Sequence, residues 1–236
     1  MSYIEIESPD QQGNFKAYVA KPEGDGPAPG VIVIQEIFGI NHVMRDICDN
    51  LAKSGYLAIC PDLFWRLEPG IELTDKSQEE WDKAFDLFNR FDVDQGVQDL
   101  DATLTHVRQM EECTGKVGDI GYCLGGKLAY LMAARTDADC SVSYYGVDLA
   151  NFMDEAKNIE DPLLLHVAMQ DQFTSDADRE KIKKALRPFD LISLMEYEGQ
   201  DHAFAREGGE HYDADAAAQA NARTADFLAT YLGKNR

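Results

Sequence analysis

Two kinds of hydrophobic pattern alternate along the chain. Tyr3–Glu7 and Phe15–Val19 switch between apolar and polar side chains with period two, which predicts two strands joined by a turn at Gln12-Gly13-Asn14. Beyond the loop Glu23–Gly30, short apolar runs at Val31–Ile34, Leu57–Cys60, Val117–Ile120, Ser141–Tyr144, Pro162–Met169 and Leu191–Tyr197 predict buried strands. Between them lie helical patterns. His42–Lys53 ends before Gly55, a C′ position, and the loop Pro61–Gly70 leads toward Ser77–Phe91 and Gly96–Glu111. Lys127–Ala134 follows, then a helix capped around Thr174-Ser175-Asp176 that runs through Leu186 and stops at Pro188, and last a helix from about Asp213 to Leu232. Strands alternating with helices predict an α/β fold: a mostly parallel sheet with helices on both faces, in one domain over residues 1–236 without repeats.

One junction between a strand and a helix is unusual. Val117–Ile120 runs into Gly121-Tyr122-Cys123-Leu124-Gly125-Gly126 and then directly into the helix. A strand turning sharply into a helix around G-x-nucleophile-x-G is the nucleophile elbow of α/β-hydrolases. Here the central residue is cysteine, and a thiol at a helix N-terminus lies at the positive end of the macrodipole, which favours thiolate. Gly121–Lys127 also reads G-x-x-x-x-G-K, as in a P-loop, but Leu128 stands where a hydroxyl must bind Mg²⁺. That substitution argues against nucleotide binding.

A triad needs an acid and then a histidine downstream of the nucleophile. The run Pro162–Met169 ends in Gln170-Asp171, and Leu191–Tyr197 leads to Gln200-Asp201-His202. Asp171 and His202 thus each follow the C-terminal end of a predicted strand, where ligands and catalytic groups gather in parallel sheets. In those roles His202 takes the Cys123 proton and returns it to the leaving group, while Asp171 fixes the imidazole tautomer.

The segments Val31–Gly39, Tyr56–Leu63, Gly121–Gly126, Tyr144-Tyr145-Gly146, Gln170-Asp171 and His202–Arg206 together resemble the dienelactone hydrolases (carboxymethylenebutenolidases), cysteine hydrolases of the α/β-hydrolase superfamily. The resemblance implies that Glu36, after the strand Val31–Ile34, helps convert the thiol to thiolate when substrate binds. It places the oxyanion hole at the backbone N–H groups of Leu124 and Ile37. It assigns Arg206, Trp81, Phe85, Tyr144 and Phe38 to the substrate-binding surface, with Arg206 receiving a carboxylate. It implies no cofactor. The chain departs from the family pattern at Trp81, where a second arginine is common, at Phe85 for tyrosine, Phe88 for tryptophan, and Ala203 for serine. Trp81, Phe85 and Phe88 are spaced as the core stripe of a helix as well as a pocket wall.

A cysteine nucleophile narrows the chemistry. Its tetrahedral adduct can expel either the alcohol or the thiolate, and a simple alkoxide loses that competition. An enol ester leaves as a stabilised enolate and wins it. Such a site suits an activated lactone, a dienelactone opened to an oxo acid like maleylacetate in aromatic or chloroaromatic catabolism; thioesters, aryl esters or another lactone are the alternative, and a non-catalytic binding protein is a third reading that the full triad opposes.

Composition removes other classes. With 22 basic and 43 acidic side chains the net charge is −21, which opposes nucleic acid or an anionic membrane as partner. No apolar run reaches the ~18 residues of a membrane helix, and no basic segment followed by an apolar run marks a secretory signal. The five cysteines are odd in number and lack a C-x-x-C pair, so neither a disulfide framework nor a metal site is expected. Cys48, Cys60 and Cys140 read as core residues and Cys113 as an exposed loop thiol, in keeping with a cytoplasmic setting. The expected form is a monomer acting on a small-molecule lactone or ester.

Overall fold

The computed structural model describes residues 2–24 and 26–233. Asp25, within the expected loop Glu23–Gly30, and the start and end of the chain lie outside them. Among the described residues eight strands are hydrogen-bonded in the order β1-β2-β4-β3-β5-β6-β7-β8. By internal packing the described residues divide at Gly118 into two compact units, with Leu232 and Gly233 belonging to the first.

The first unit holds β1 (Ser2–Glu7), β2 (Asn14–Ala20), β3 (Ala28–Ile34), α1 (His42–Lys53), β4 (Leu57–Pro61), α2 (Gln78–Arg90), α3 (Val93–Gln109) and the start of β5 (Cys113–Tyr122). β1 and β2 form an antiparallel pair, β2 pairs antiparallel with β4, and β3 runs parallel to β4. Every residue of β3 and β4 is buried, as continuous apolar runs require of strands covered on both faces. Each buried Leu or Ile contributes about 1.5–3 kcal/mol relative to exposure. Helix starts carry side-chain caps: Asn41 Oδ1 accepts from Met44 N, and Ser77 Oγ accepts from Glu80 N while Glu80 reaches back to the Ser77 hydroxyl. α3 begins at Val93, not at the expected Gly96, because Asp92 Oδ1 accepts from Asp94 N and Gln95 N. Gly96 falls inside this helix, and a Cβ there would lie 2.3 Å from the Phe91 ring.

The second unit contains the end of β5, α4 (Leu124–Arg135), β6 (Ser141–Tyr144), a 3-10 segment (Leu149–Asn158), β7 (Leu163–Ala168), α5 (Asp176–Leu186), β8 (Ile192–Tyr197) and α6 (Ala214–Tyr231). β5, β6, β7 and β8 pair in parallel. All residues of α4 from Leu124 to Ala134 are buried, including Lys127, whose Nζ lies 3.0 Å from Asp148 Oδ2. That contact gives Lys127 an ion-pair role in the fold. The 3-10 segment was not expected; its buried Ala150, Met153 and Ala156 recur every third residue, the period of that helix rather than of an α-helix. Cys113, expected on an exposed loop, is the first residue of β5 and half-buried. Cys48, Cys60 and Cys140 are fully buried, as their apolar settings predict.

Candidate functional site

The elbow is built from close backbone approach. A Cβ on Gly121 would stand 1.8 Å from Gly125 O, and one on Gly126 would stand 2.5 Å from Tyr144 O, so neither position admits a larger residue. Between them Cys123 adopts φ 58°, ψ −113°, a left-handed conformation costly for a residue with a Cβ. It is held from both sides: its N–H donates to Tyr144 O at 3.1 Å, and its carbonyl accepts from Lys127 N at 3.1 Å. Leu124 is the first residue of α4, so its N–H belongs to the helix-start donors that have no partner within the helix.

The acid and histidine loops follow β7 and β8 and are stitched together. Met169 N donates to Tyr197 O, and Gln170 N donates to Gln200 O at 2.8 Å. Asp201 Oδ1 accepts from Gln172 N at 3.0 Å and from His202 N at 2.6 Å. Buried Arg179 donates to the carbonyls of Asp171, at 3.1 Å, and Thr174, and so fixes the acid loop from α5. Asp171 itself accepts from Phe173 N through Oδ1 and meets His202 Nδ1 through Oδ2, both at 2.8 Å.

His202 is buried, with Tyr145 edge-on at 5.1 Å between ring centroids and Phe173 edge-on at 4.8 Å. Burial opposes a charge on this imidazole. The electrostatic influence of Cys123, a hydrogen bond to Asp171 and another to Cys123 outweigh it, and the His202 pKa is pushed up to about 10. Cys123, His202 and Asp171 therefore act on one another as a thiol, an imidazole and a carboxylate in series. Such a set can create a thiolate, hold the proton on the imidazole and return it to a leaving group.

The other predicted residues are placed as follows. Arg206 is buried in the turn after His202; its N–H donates to Ala203 O, and Gly209 packs against its guanidinium. Tyr144 is a correction. It is fully buried, its ring stacks on Tyr122, and its hydroxyl meets Thr224 and Asn221 of α6, so it is a core residue; the next residue, Tyr145, is the one whose ring touches His202. In the first unit Glu36 and Ile37 are buried just past β3. Gln35 holds that turn, donating to Glu36 O and accepting from Leu63 N. Phe38, Trp81 and Phe85 form an aromatic ladder with centroid separations of 5.1 and 5.5 Å. The buried residues of α2 are Ala84 and Leu87, so Trp81, Phe85 and Phe88 are not that helix's innermost stripe.

Sequence reasoning missed Tyr145, Phe173, Arg179 and Asp201. Tyr145 carried a signal, since it lies within the Tyr144-Tyr145-Gly146 segment, and the strand period of two puts adjacent side chains on opposite faces. Arg179 and Asp201 carried none, because charged residues near helix starts and loops read as solvated.

An elbow after β5, followed by an acid after β7 and a histidine after β8 at the ends of parallel strands, defines an α/β-hydrolase. Residues 15–232 match the dienelactone hydrolase family, and the chain belongs to that family. It is 49% identical to a protein of Azospirillum brasilense that carries the provisional name carboxymethylenebutenolidase, over 99% of this chain and 100% of that one. The carboxymethylenebutenolidase of Pseudomonas putida is 39% identical over 98% of this chain and 97% of its own. A crystal structure of a provisionally assigned dienelactone hydrolase from Klebsiella pneumoniae superposes with a TM-score of 0.84 at 29% identity, covering 98% of this chain and 99% of that one. No helix among the described residues is long and apolar enough to cross a membrane, and none of their His, Cys, Asp and Glu side chains form a group of three or more able to hold a metal.

Proposed function

We propose that this hydrolase uses Cys123 as nucleophile to open an activated lactone, a dienelactone giving an oxo acid such as maleylacetate. The observation that carries this reading is geometric: Cys123 sits in the elbow at φ 58°, and His202 Nδ1 lies 2.8 Å from Asp171 Oδ2, with Cys123 and Asp171 both raising the proton affinity of the imidazole. The thiolate attacks the lactone carbonyl, and the Leu124 N–H at the start of α4 receives the developing oxyanion. Collapse breaks the ring C–O bond and expels an enolate, which takes the proton from His202 and becomes the ketone. Water, deprotonated by His202, then attacks the thioester and frees Cys123. Asp171 keeps the imidazole oriented through both steps. Glu36 as the group that promotes thiolate formation, and Ile37 as second oxyanion donor, are roles carried by the family likeness, as is aromatic catabolism in a monomer in the cytoplasm.

One observation favours a second reading, a cysteine hydrolase of aryl esters or other neutral activated esters. Trp81 stands where an arginine is common in the family, and it joins Phe38 and Phe85 in an apolar ladder. Steady-state kinetics on cis- and trans-dienelactone beside neutral aryl esters decide between the two. Turnover of both classes must vanish in Cys123→Ala and survive replacement of Cys48, Cys60, Cys113 or Cys140 by Ala. Activity retained in Cys123→Ala rules out the mechanism.

A further inference from the structure

Under the strand ends that carry the elbow, the acid loop and the histidine loop, six side chains form an unbroken run of hydrogen bonds. Arg223 Nη1 donates to the Tyr197 hydroxyl at 3.0 Å, and that oxygen lies 2.8 Å from His166 Nδ1. His166 Nε2 lies 2.9 Å from Thr224 Oγ1, which lies 2.7 Å from the Tyr144 hydroxyl, and Tyr144 donates to Asn221 Oδ1 at 3.0 Å. Tyr144, His166, Tyr197 and Thr224 are all buried.

The ends of the run set its direction. A guanidinium only donates, and each hydroxyl carries a single hydrogen. With Arg223 donating to Tyr197, the phenol proton goes to His166 Nδ1. His166 then donates from Nε2 to Thr224, Thr224 to Tyr144, and Tyr144 to Asn221. The other tautomer, or an imidazolium, would make Tyr197 accept twice and leave its own buried proton without an acceptor in the run, which is costly. In agreement, burial and the nearby Arg223 charge hold the His166 pKa down at about 3.

The same residues hold the site through their main chains. Tyr144 O accepts from Cys123 N, and His166 O accepts at 2.8 Å from Tyr145 N, whose ring touches His202. Tyr197 O accepts from Met169 N and Gln200 N, each two residues ahead of Asp171 and His202 respectively. We infer that His166 is a positioning residue for the reaction: as a neutral imidazole protonated on Nε2, it completes a one-way hydrogen-bond run from Arg223 to Asn221 that fixes the strand ends bearing Cys123, Asp171 and His202. This inference rests on the cysteine-hydrolase reading and adds to it a group that touches no substrate.

The test compares His166→Phe, which fills the volume without polar atoms, with His166→Gln, whose amide offers an acceptor oxygen and a donor NH₂ group, and with Thr224→Val. A displaced triad loses rate far more than ground-state affinity, so kcat should fall about 10- to 100-fold in the Phe and Val variants, with KM changed less than about twofold. The Gln variant should recover to within about threefold of wild type, which space filling alone does not predict. Long-range ¹H–¹⁵N spectra should place the His166 proton on Nε2, a readout independent of turnover. Wild type and Cys123→Ala, assayed alongside, decide the hydrolase reading separately. A folded Phe or Val variant with wild-type kcat, a Gln variant as impaired as Phe, or a proton on Nδ1 overturns the inference. Should the Phe variant not fold, Thr224→Val removes the same link without changing shape and carries the rate test.

Discussion

The protonation state of His202 is the quantity on which the site turns. Its pKa stands at about 10 against an ordinary 6.5, although the ring is buried. A difference of that size corresponds to roughly 5 kcal/mol in favour of imidazolium, at about 1.36 kcal/mol per unit. Burial alone would act in the opposite sense, so the charges and hydrogen bonds of Cys123 and Asp171 supply more than the net effect. Cys123→Ala removes the largest of these stabilising influences and leaves burial in place. The expected result is a His202 titration moved down by at least about one unit, with a smaller further drop in Cys123→Ala/Asp171→Asn. Long-range ¹H–¹⁵N spectra recorded from pH 5 to 11 follow the ring directly, and His166 serves as an internal reference that stays neutral throughout. A wild-type His202 that titrates near 6.5, or one unmoved by Cys123→Ala, refutes the argument that thiolate and imidazolium stabilise each other here.

Two further outcomes test roles that the family likeness carries, and a third tests the burial of His166. Glu36→Gln should lose most of kcat while unfolding at the same urea concentration as wild type; unchanged turnover would reduce Glu36 to a buried structural acid. Arg206→Ala should raise KM for carboxylate-bearing lactones, in a salt-sensitive way, and spare neutral aryl esters, whereas Trp81→Arg should improve the carboxylate substrates; equal effects on charged and neutral substrates would show that Arg206 only supports the fold. Because the folded-state pKa of His166 is lowered, its neutral form stabilises the protein above pH 6.5, and that stability is lost as pH falls from 6.5 toward about 3. The full span is on the order of 5 kcal/mol, so urea unfolding between pH 7 and 4 should show wild type losing stability relative to His166→Gln; parallel curves would refute it.

The sequence alone determined the order and type of nearly every element, because buried parallel strands are written as short apolar runs and the helices between them carry their own caps. It also marked Cys123, Asp171 and His202, since an elbow needs glycines at fixed offsets and the other two residues sit at strand ends, both of which are local properties. Family likeness, not spacing, pointed to Glu36. The extended start of α3 escaped because the Asp92 cap and the Phe91 ring together make Gly96 a tolerable helical residue. Only the tertiary structure separated Tyr144 from Tyr145: the two are neighbours in sequence, yet one turns its hydroxyl toward α6 and the other its ring toward His202. The same holds for the raised proton affinity of His202, the lowered proton affinity of His166 and the anchoring role of Arg179. Each depends on distant partners, from Thr174 for Arg179, 5 residues away, to Cys123 for His202, 79 residues away (202 − 123), and on the exclusion of water, neither of which a local pattern can encode.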